Sequence, residues 1–407
     1  MIKKIKNTVE LYLIMFFPIW ISIGIFLPIA ETILTFLFLF VLLSEQILKK
    51  KTIIKYIFIT VLFFISGLMN PDINIHLDHI KPMIIIFLTI DARNSELYSR
   101  AYKHVERYSK SLIIQLLIIL LVNILFMFLD LGYSNEYSGL WSLRAFRGIY
   151  SDPHQCAYHI CALLIIFLIV AKKNSKICNL FLIFGYLYCT CITGARIPTV
   201  LALFFGGIFF INYVINPFKQ QRIESKLLKL FILVIIAMFA VFLIMKYTSF
   251  GQKTIESFTI GDVDSGRSIL RERDIELFKK GNIIHKLFGY GTATVLEYHG
   301  SFKYSNQIWA HNDFLQILCG MGLLMLLCYI WSWISLLKSA KKESFMSVIF
   351  VIFLILVAYY NGLYIHTRLV FVIPLLLNYF RIKKLEDSKN MYYLGDGNNE
   401  ENFRNFM

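Results

Sequence analysis

SLIIQLLIILLVNILFMFLDL, residues 111–131, decides the class of fold. Its one charged residue, Asp130, comes second from the end, and no proline or glycine interrupts it. At 1.5 Å per residue the run is about 30 Å long as a helix, the thickness of a bilayer's hydrocarbon core. Similar runs recur near 11–30, 31–47, 53–69, 79–92, 155–171, 177–193, 197–215, 228–248, 312–337, 344–362 and 367–380. Across the 407 residues 57% are hydrophobic, and the mean hydropathy is +0.64. This composition predicts an all-α polytopic integral membrane protein with about 12 transmembrane helices. No short apolar leader with a small-residue cleavage site stands apart at the N-terminus, so the first span is expected to be retained.

The formal charge of +15 does not point to nucleic acid, because the lysines and arginines sit mostly in short clusters between apolar runs. MIKKIK, LKKKTIIK, residues 93–110, AKKNSK, FKQQRIESKLLK, LKSAKKE and RIKK all fall on one side if every run crosses once. The positive-inside rule makes that side the cytoplasm, with both termini there. The apolar core of run 79–92 is short for a crossing. Parity restores it, since the basic loops at 49–55 and 93–110 both belong inside. The seven cysteines (Cys156, Cys161, Cys178, Cys189, Cys191, Cys319 and Cys328) lie within apolar segments, so they read as small apolar residues rather than a disulfide framework.

Four regions follow. Residues 1–248 carry spans one to nine, 249–311 form a large extracytoplasmic loop, 312–380 carry spans ten to twelve, and 381–407 are a polar cytoplasmic tail expected to be disordered. A second extracytoplasmic loop covers about 132–153. Within the large loop, SILRERDIELFKKG has helical spacing, with Ile269, Leu270, Ile275, Leu277 and Phe278 apolar and Gly281 as a stop. No internal repeat relates the two halves.

The outer loops are where cytoplasmic bias should remove basic residues, yet Arg144, Arg147, Arg196, Arg267, Arg271, Arg273 and Arg368 remain there. An interfacial arginine ordinarily snorkels to headgroups, and a loop arginine is ordinarily solvated. Arg196 is harder to set aside, because Gly194 and Pro198 hold it at a tight turn between two spans. In WAHNDFLQILCGMGLL, residues 309–324, Asn312 or Asp313 suits an N-cap, and Gln316 lies one turn below Asn312. Capping does not require His311. The positive end of the helix dipole disfavours its imidazolium, leaving a neutral ring able to accept a proton. His154 and His159 are five residues apart and share a helix face poorly. His76 and His79 lie near Asp72 and Asp78, and His366 is near Arg368. No metal-binding spacing occurs, GDVDSG does not complete a calcium loop, and GYG at 289–291 is too common to imply a phosphate loop. No cofactor is expected.

Several of these stretches together resemble the bacterial O-antigen ligase and polymerase membrane family. HNDFLQILCGMGLL, DSGRSILRERDIELFKKGNIIHKLFGYG, CITGARIPTVLALFF and GIYSDPHQCAYH occur in the family's order over about residues 147–335. The resemblance implies a GT-C-like helical fold and a metal-independent, inverting glycosyl transfer on the outer face of the bacterial cytoplasmic membrane. The donor would be an undecaprenyl-diphosphate-linked oligosaccharide. By position, Arg196 and Arg267 would bind the diphosphate, joined by Arg271, Arg147 and Arg368. His311 would act at the acceptor hydroxyl, supported by Asn312, Asp313 and Gln316. Membrane lipids and a chain-length regulator are partners such an enzyme would meet. Polymerisation of repeat units into O-antigen or capsule is the leading expectation. A ligase passing finished polymer to lipid A core shares the same motifs. A flippase fits less well, since transporters gather polar groups at mid-membrane.

Overall fold

A computed structural model of the chain describes residues 2–23, 28–46, 50–69, 72–93, 95–138, 141–210, 241–261, 266–300 and 311–395. The chain is mostly helical. Seven helices lead in: α1 (Ile2–Met15), α2 (Phe17–Ile23), α3 (Pro28–Gln46), α4 (Lys50–Leu68), α5 (Ile73–Ala92), α6 (Glu96–Arg107) and α7 (Ser109–Phe128). A hairpin of β1 (Tyr133–Ser138) and β2 (Trp141–Phe146) follows, then α8 (Pro153–Val170), α9 (Lys176–Ile192) and α10 (Arg196–Phe210). Four shorter helices, α11 (Ser249–Ile260), α12 (Arg267–Lys280), α13 (Ile283–Phe288) and α14 (Thr292–Gly300), precede α15 (Asp313–Glu343), α16 (Phe345–Tyr360) and α17 (Thr367–Gly395). The span expected at 228–248 lies outside the described residues except for its helical end at 241–247.

Among the described residues, three helices, α7, α8 and α15, are long and apolar enough to cross a membrane, and five shorter apolar helices accompany them. Every residue of α8 from Cys156 to Val170 is buried, which is where a helix apolar on all sides belongs. Around it the other helices turn one apolar face inward and another outward. On α7, Leu112, Leu116 and Leu120 are buried, while Ile114, Ile118, Leu121, Leu125 and Phe128 are exposed. On α4, Ile54, Ile57, Phe58, Val61, Phe64 and Leu68 form a comparable exposed stripe. Water would select a polar outer face, so these faces suit hydrocarbon surroundings.

Three expectations change on inspection of the fold. The loop at 132–153 contains an antiparallel hairpin, pairing Tyr133 with Phe146 through to Ser138 with Trp141, so the chain is not helical throughout. The basic stretch 93–110 is largely an amphipathic helix, α6, which buries Leu97, Tyr98, Ala101, Tyr102 and Val105. Its Arg100 reaches Glu10 on α1 at 3.0 Å and Glu45 on α3 at 3.5 Å, fastening α6 to the bundle. The polar tail begins as a continuation of α17, which runs on to Gly395. By contrast α12 matches its expected helix, with Gly281 as its C-cap.

Helix α15 is broken at Gly322, whose φ of 86° and ψ of 172° only glycine holds comfortably. The break frees backbone carbonyls, and the turn after α13 satisfies them. Tyr290 N–H donates to Cys319 O at 2.8 Å, and Gly291 N–H donates to Gly320 O at 3.0 Å. The two backbones meet so closely that a Cβ on Gly289 would lie 2.4 Å from Gly320 O, and one on Gly322 would lie 2.2 Å from Leu287 O. The GYG turn is therefore a packing device that locks the short helices onto α15.

Candidate functional site

One end of the bundle gathers the first residues of α8, α10, α15 and α17. Asp152 caps α8 by accepting from Gln155 N–H at 2.8 Å, with Pro153 in the first turn. Asn312 caps α15 by accepting from Leu315 N–H at 3.0 Å. At the start of α10, Gly194 turns at φ 70°, and Thr193 Oγ1 accepts from Ala195 N–H at 3.1 Å. Helix N-termini carry partial positive charge, so this end is predisposed to hold an anion.

Asp313 ties the end together. Its fully buried carboxylate accepts from Leu363 N–H at 2.9 and 3.0 Å, from Tyr364 N–H at 3.1 Å and from Tyr329 Oη at 2.8 Å. The start of α15 is thereby bound to the turn at 361–366 between α16 and α17. That turn places His366 against Tyr158 of α8, with ring centroids 3.6 Å apart. Asn361 Nδ2 donates to Tyr158 Oη at 2.8 Å.

His311 sits at the mouth of this arrangement, partly exposed, in the left-handed region at φ 52°. A non-glycine residue held there stores strain of the kind that gathers at functional sites. Its ring centroid is 6.3 Å from that of His154. Arg267, the first residue of α12, donates to Tyr360 O at 2.8 Å, and its charge also acts on His154, as does that of Lys253 on α11. The His366 imidazole has its pKa held below the ordinary value, first by desolvation in the protein packed around it and then by His154 and Arg368.

Three polar atoms at this end are buried without a hydrogen-bond partner among the described residues: His154 Nδ1, Asn312 Nδ2 and Asn361 Oδ1. Buried polar atoms are nearly always satisfied, so a cluster of orphans marks where a polar ligand would bind. Asn312 Nδ2 would donate, while His154 Nδ1 and Asn361 Oδ1 would accept, a set suited to hydroxyl groups.

The other expected residues divide. Arg196 lies across from α11, donating to Ser257 Oγ at 2.9 Å one turn from Lys253. Arg271 lies one turn along α12 from Arg267 and is half-buried. Gln316 is buried on the first turn of α15. Arg368 is buried deeper, its guanidinium on the ring of His159, so it braces α17 against α8. Arg147 contacts Ser151 O of its own loop at 3.5 Å. His154, Tyr158, Lys253, Asn361 and His366 were not singled out by sequence as members of one site. The signal available for His154 was its place just inside an Asp-Pro helix start. No group of three or more His, Cys, Asp or Glu side chains among the described residues is arranged to hold a metal ion.

Scanned against known protein families and curated proteins, the chain matches no family model and no individual protein.

Proposed function

We propose that the chain is a glycosyltransferase of the bacterial cytoplasmic membrane that polymerises polyprenyl-diphosphate-linked oligosaccharide repeats, with this end of the bundle on the external face. The observation that carries the reading is the meeting of Arg267, His311 and three orphaned buried polar atoms at one cluster of helix N-termini.

In the proposed reaction, an acceptor hydroxyl oxygen bonds to the anomeric carbon of the donor sugar as the carbon–oxygen bond to the diphosphate breaks. The bond pair leaves with the diphosphate, and the hydroxyl proton passes to a ring nitrogen of His311. Attack opposite the leaving group inverts the anomeric centre. Negative charge grows on phosphate oxygens, where guanidinium groups of Arg267 and Arg196 act with the Lys253 ammonium and the helix dipoles. Each preorganised cation or donor of this kind contributes on the order of 10²-fold in rate. The orphaned amide and imidazole atoms would hold sugar hydroxyls.

An apolar cavity of about 710 Å³ between α9, α10 and the helix at 241–247 fits the same donor. Leu187, Leu203, Gly206 and Phe210 line it with Tyr247 and Thr248, and the next residue, Ser249, lies against Gly194 at the turn that leads into Arg196. A polyprenyl chain there would lie in the bilayer with its diphosphate directed at Arg196. The test is a deletion strain complemented with Arg196→Ala, Arg267→Ala or His311→Ala at normal protein levels. Accumulated single lipid-linked repeats support a polymerase. Accumulated long lipid-linked chains indicate a ligase instead, and unchanged polymer in all three variants refutes both.

A further inference from the structure

At the opposite end of α15 lies a second pocket, of about 220 Å³, that the glycosyl-transfer site does not use. Arg93, Trp331, Ser335, Lys338, Ser339 and Lys342 form most of its lining. Arg93 follows the end of α5, and its Nη2 donates to Ser335 O at 3.2 Å and to Ser335 Oγ at 3.1 Å. Its Nε is buried with no partner among the described residues, so the guanidinium has a donor left over. Lys338 Nζ lies 5.7 Å from the centroid of the Trp331 ring, which is 65% exposed.

We infer that this pocket binds the phosphate of an anionic glycerophospholipid headgroup. Three observations carry it. The first is depth. α16 joins the two ends, from Phe345 just after α15 to Tyr360, whose carbonyl receives Arg267, and its sixteen residues span about 24 Å at 1.5 Å per residue, close to one hydrocarbon thickness. With His311 at one water boundary, Lys338 and Lys342 near the end of α15 lie toward the other, where lysines extend into the headgroup layer.

The second is charge. Arg93, Lys338 and Lys342 supply three positive charges. Glu343 removes one, and the C-terminal end of α15 removes about half of another. Asp91 also acts on Arg93 but is engaged by Lys55 at 2.9 Å and by Tyr56 Oη at 2.7 Å. The balance remains about +1.5 in favour of an anion.

The third is size and chemistry. At about 30 Å³ per water, the pocket holds roughly seven waters' volume, room for a phosphate ester beside donors from Arg93, the lysines and the two serines. Inorganic phosphate offers the same oxygens without the acyl chains that would lie along exposed Ile334.

The purified full-length protein, in detergent with phosphatidylcholine, is titrated with phosphatidylglycerol, and bound lipid is read by native mass spectrometry. Phosphatidylglycerol should be retained over phosphatidylcholine, and millimolar inorganic phosphate should not displace it. Each basic residue near the surface contributes about fivefold in affinity, so Lys338→Gln/Lys342→Gln should bind about 30-fold more weakly. Lys338→Arg/Lys342→Arg should bind as the parent does. Equal retention of the two lipids, or unchanged binding in the glutamine pair, would overturn the inference. Displacement by inorganic phosphate would overturn the lipid as occupant. Loss of binding in the arginine pair as well would show that packing rather than charge holds the lipid, and would overturn it too.

Discussion

Removing the Asp313 carboxylate should release the turn on which the candidate site is built. Asp313→Ala leaves three buried donors, Leu363 N–H, Tyr364 N–H and Tyr329 Oη–H, without an acceptor. Each orphaned donor costs about 1–3 kcal/mol, and loss of a buried charged partner ordinarily totals 3–5 kcal/mol, so about 5 kcal/mol is expected. Asp313→Asn keeps one acceptor oxygen but turns an amino group toward backbone donors, for about 2 kcal/mol. Tyr329→Phe removes a single donor and should cost about 1 kcal/mol. The assay is the fraction of monodisperse protein left after heating in detergent. At about 2 °C per kcal/mol for a chain of this size, the transition should fall by roughly 10 °C, 4 °C and 2 °C in that order. Lipid-linked donor binding should weaken in the same order, because the turn at 361–366 carries His366 and directly follows the Tyr360 carbonyl that receives Arg267. Stability and binding unchanged in Asp313→Ala would refute the idea that this carboxylate couples α15 to the turn.

Other substitutions separate packing from chemistry. Gly322→Ala combines a backbone that only glycine favours with a Cβ 2.2 Å from Leu287 O, so the loss should exceed about 3 kcal/mol and abolish stable expression. Gly207→Ala is the control. Its Cβ meets nothing within 4 Å, so stability should hold or rise by up to about 1 kcal/mol; equal damage in both would contradict the packing lock. His366 has a pKa below the unfolded imidazole value, so its contribution to stability is complete above about pH 6.5 and falls as pH drops below that. His366→Gln should therefore flatten the acid side of the stability profile, and an unchanged slope would count against it. Arg267→Lys keeps the charge but loses the planar fork, and should slow glycan transfer by about tenfold or more while Arg267→Ala slows it further. Equal rates in lysine and parent proteins would remove the bidentate role.

Local rules made the helix starts legible. Asp152 with Pro153, and Asn312 before Asp313, announce α8 and α15, and both caps form. Gly281 stops α12 as its position suggests. What sequence could not show is what depends on distant pairing. Asp313 reads as a spare cap, because its real partners are fifty residues away. The GYG turn looks uninformative until Gly289 is seen against Gly320 and Gly322. Within the sequence His154 invites comparison only with His159 on its own helix, while its actual neighbour His311 stands just before the start of α15. The run of α17 into the tail has a local cause, since residues 381–394 contain helix formers and no glycine or proline before Gly395.

The most direct measurement is the composition of lipid-linked glycan in a strain lacking this protein and in the same strain expressing His311→Ala or Arg267→Ala at parental levels. If His311 and Arg267 serve transfer from a lipid diphosphate, single repeats should accumulate and polymer should vanish in all three. Normal polymer with no lipid-linked intermediate would contradict that role for this end of the bundle.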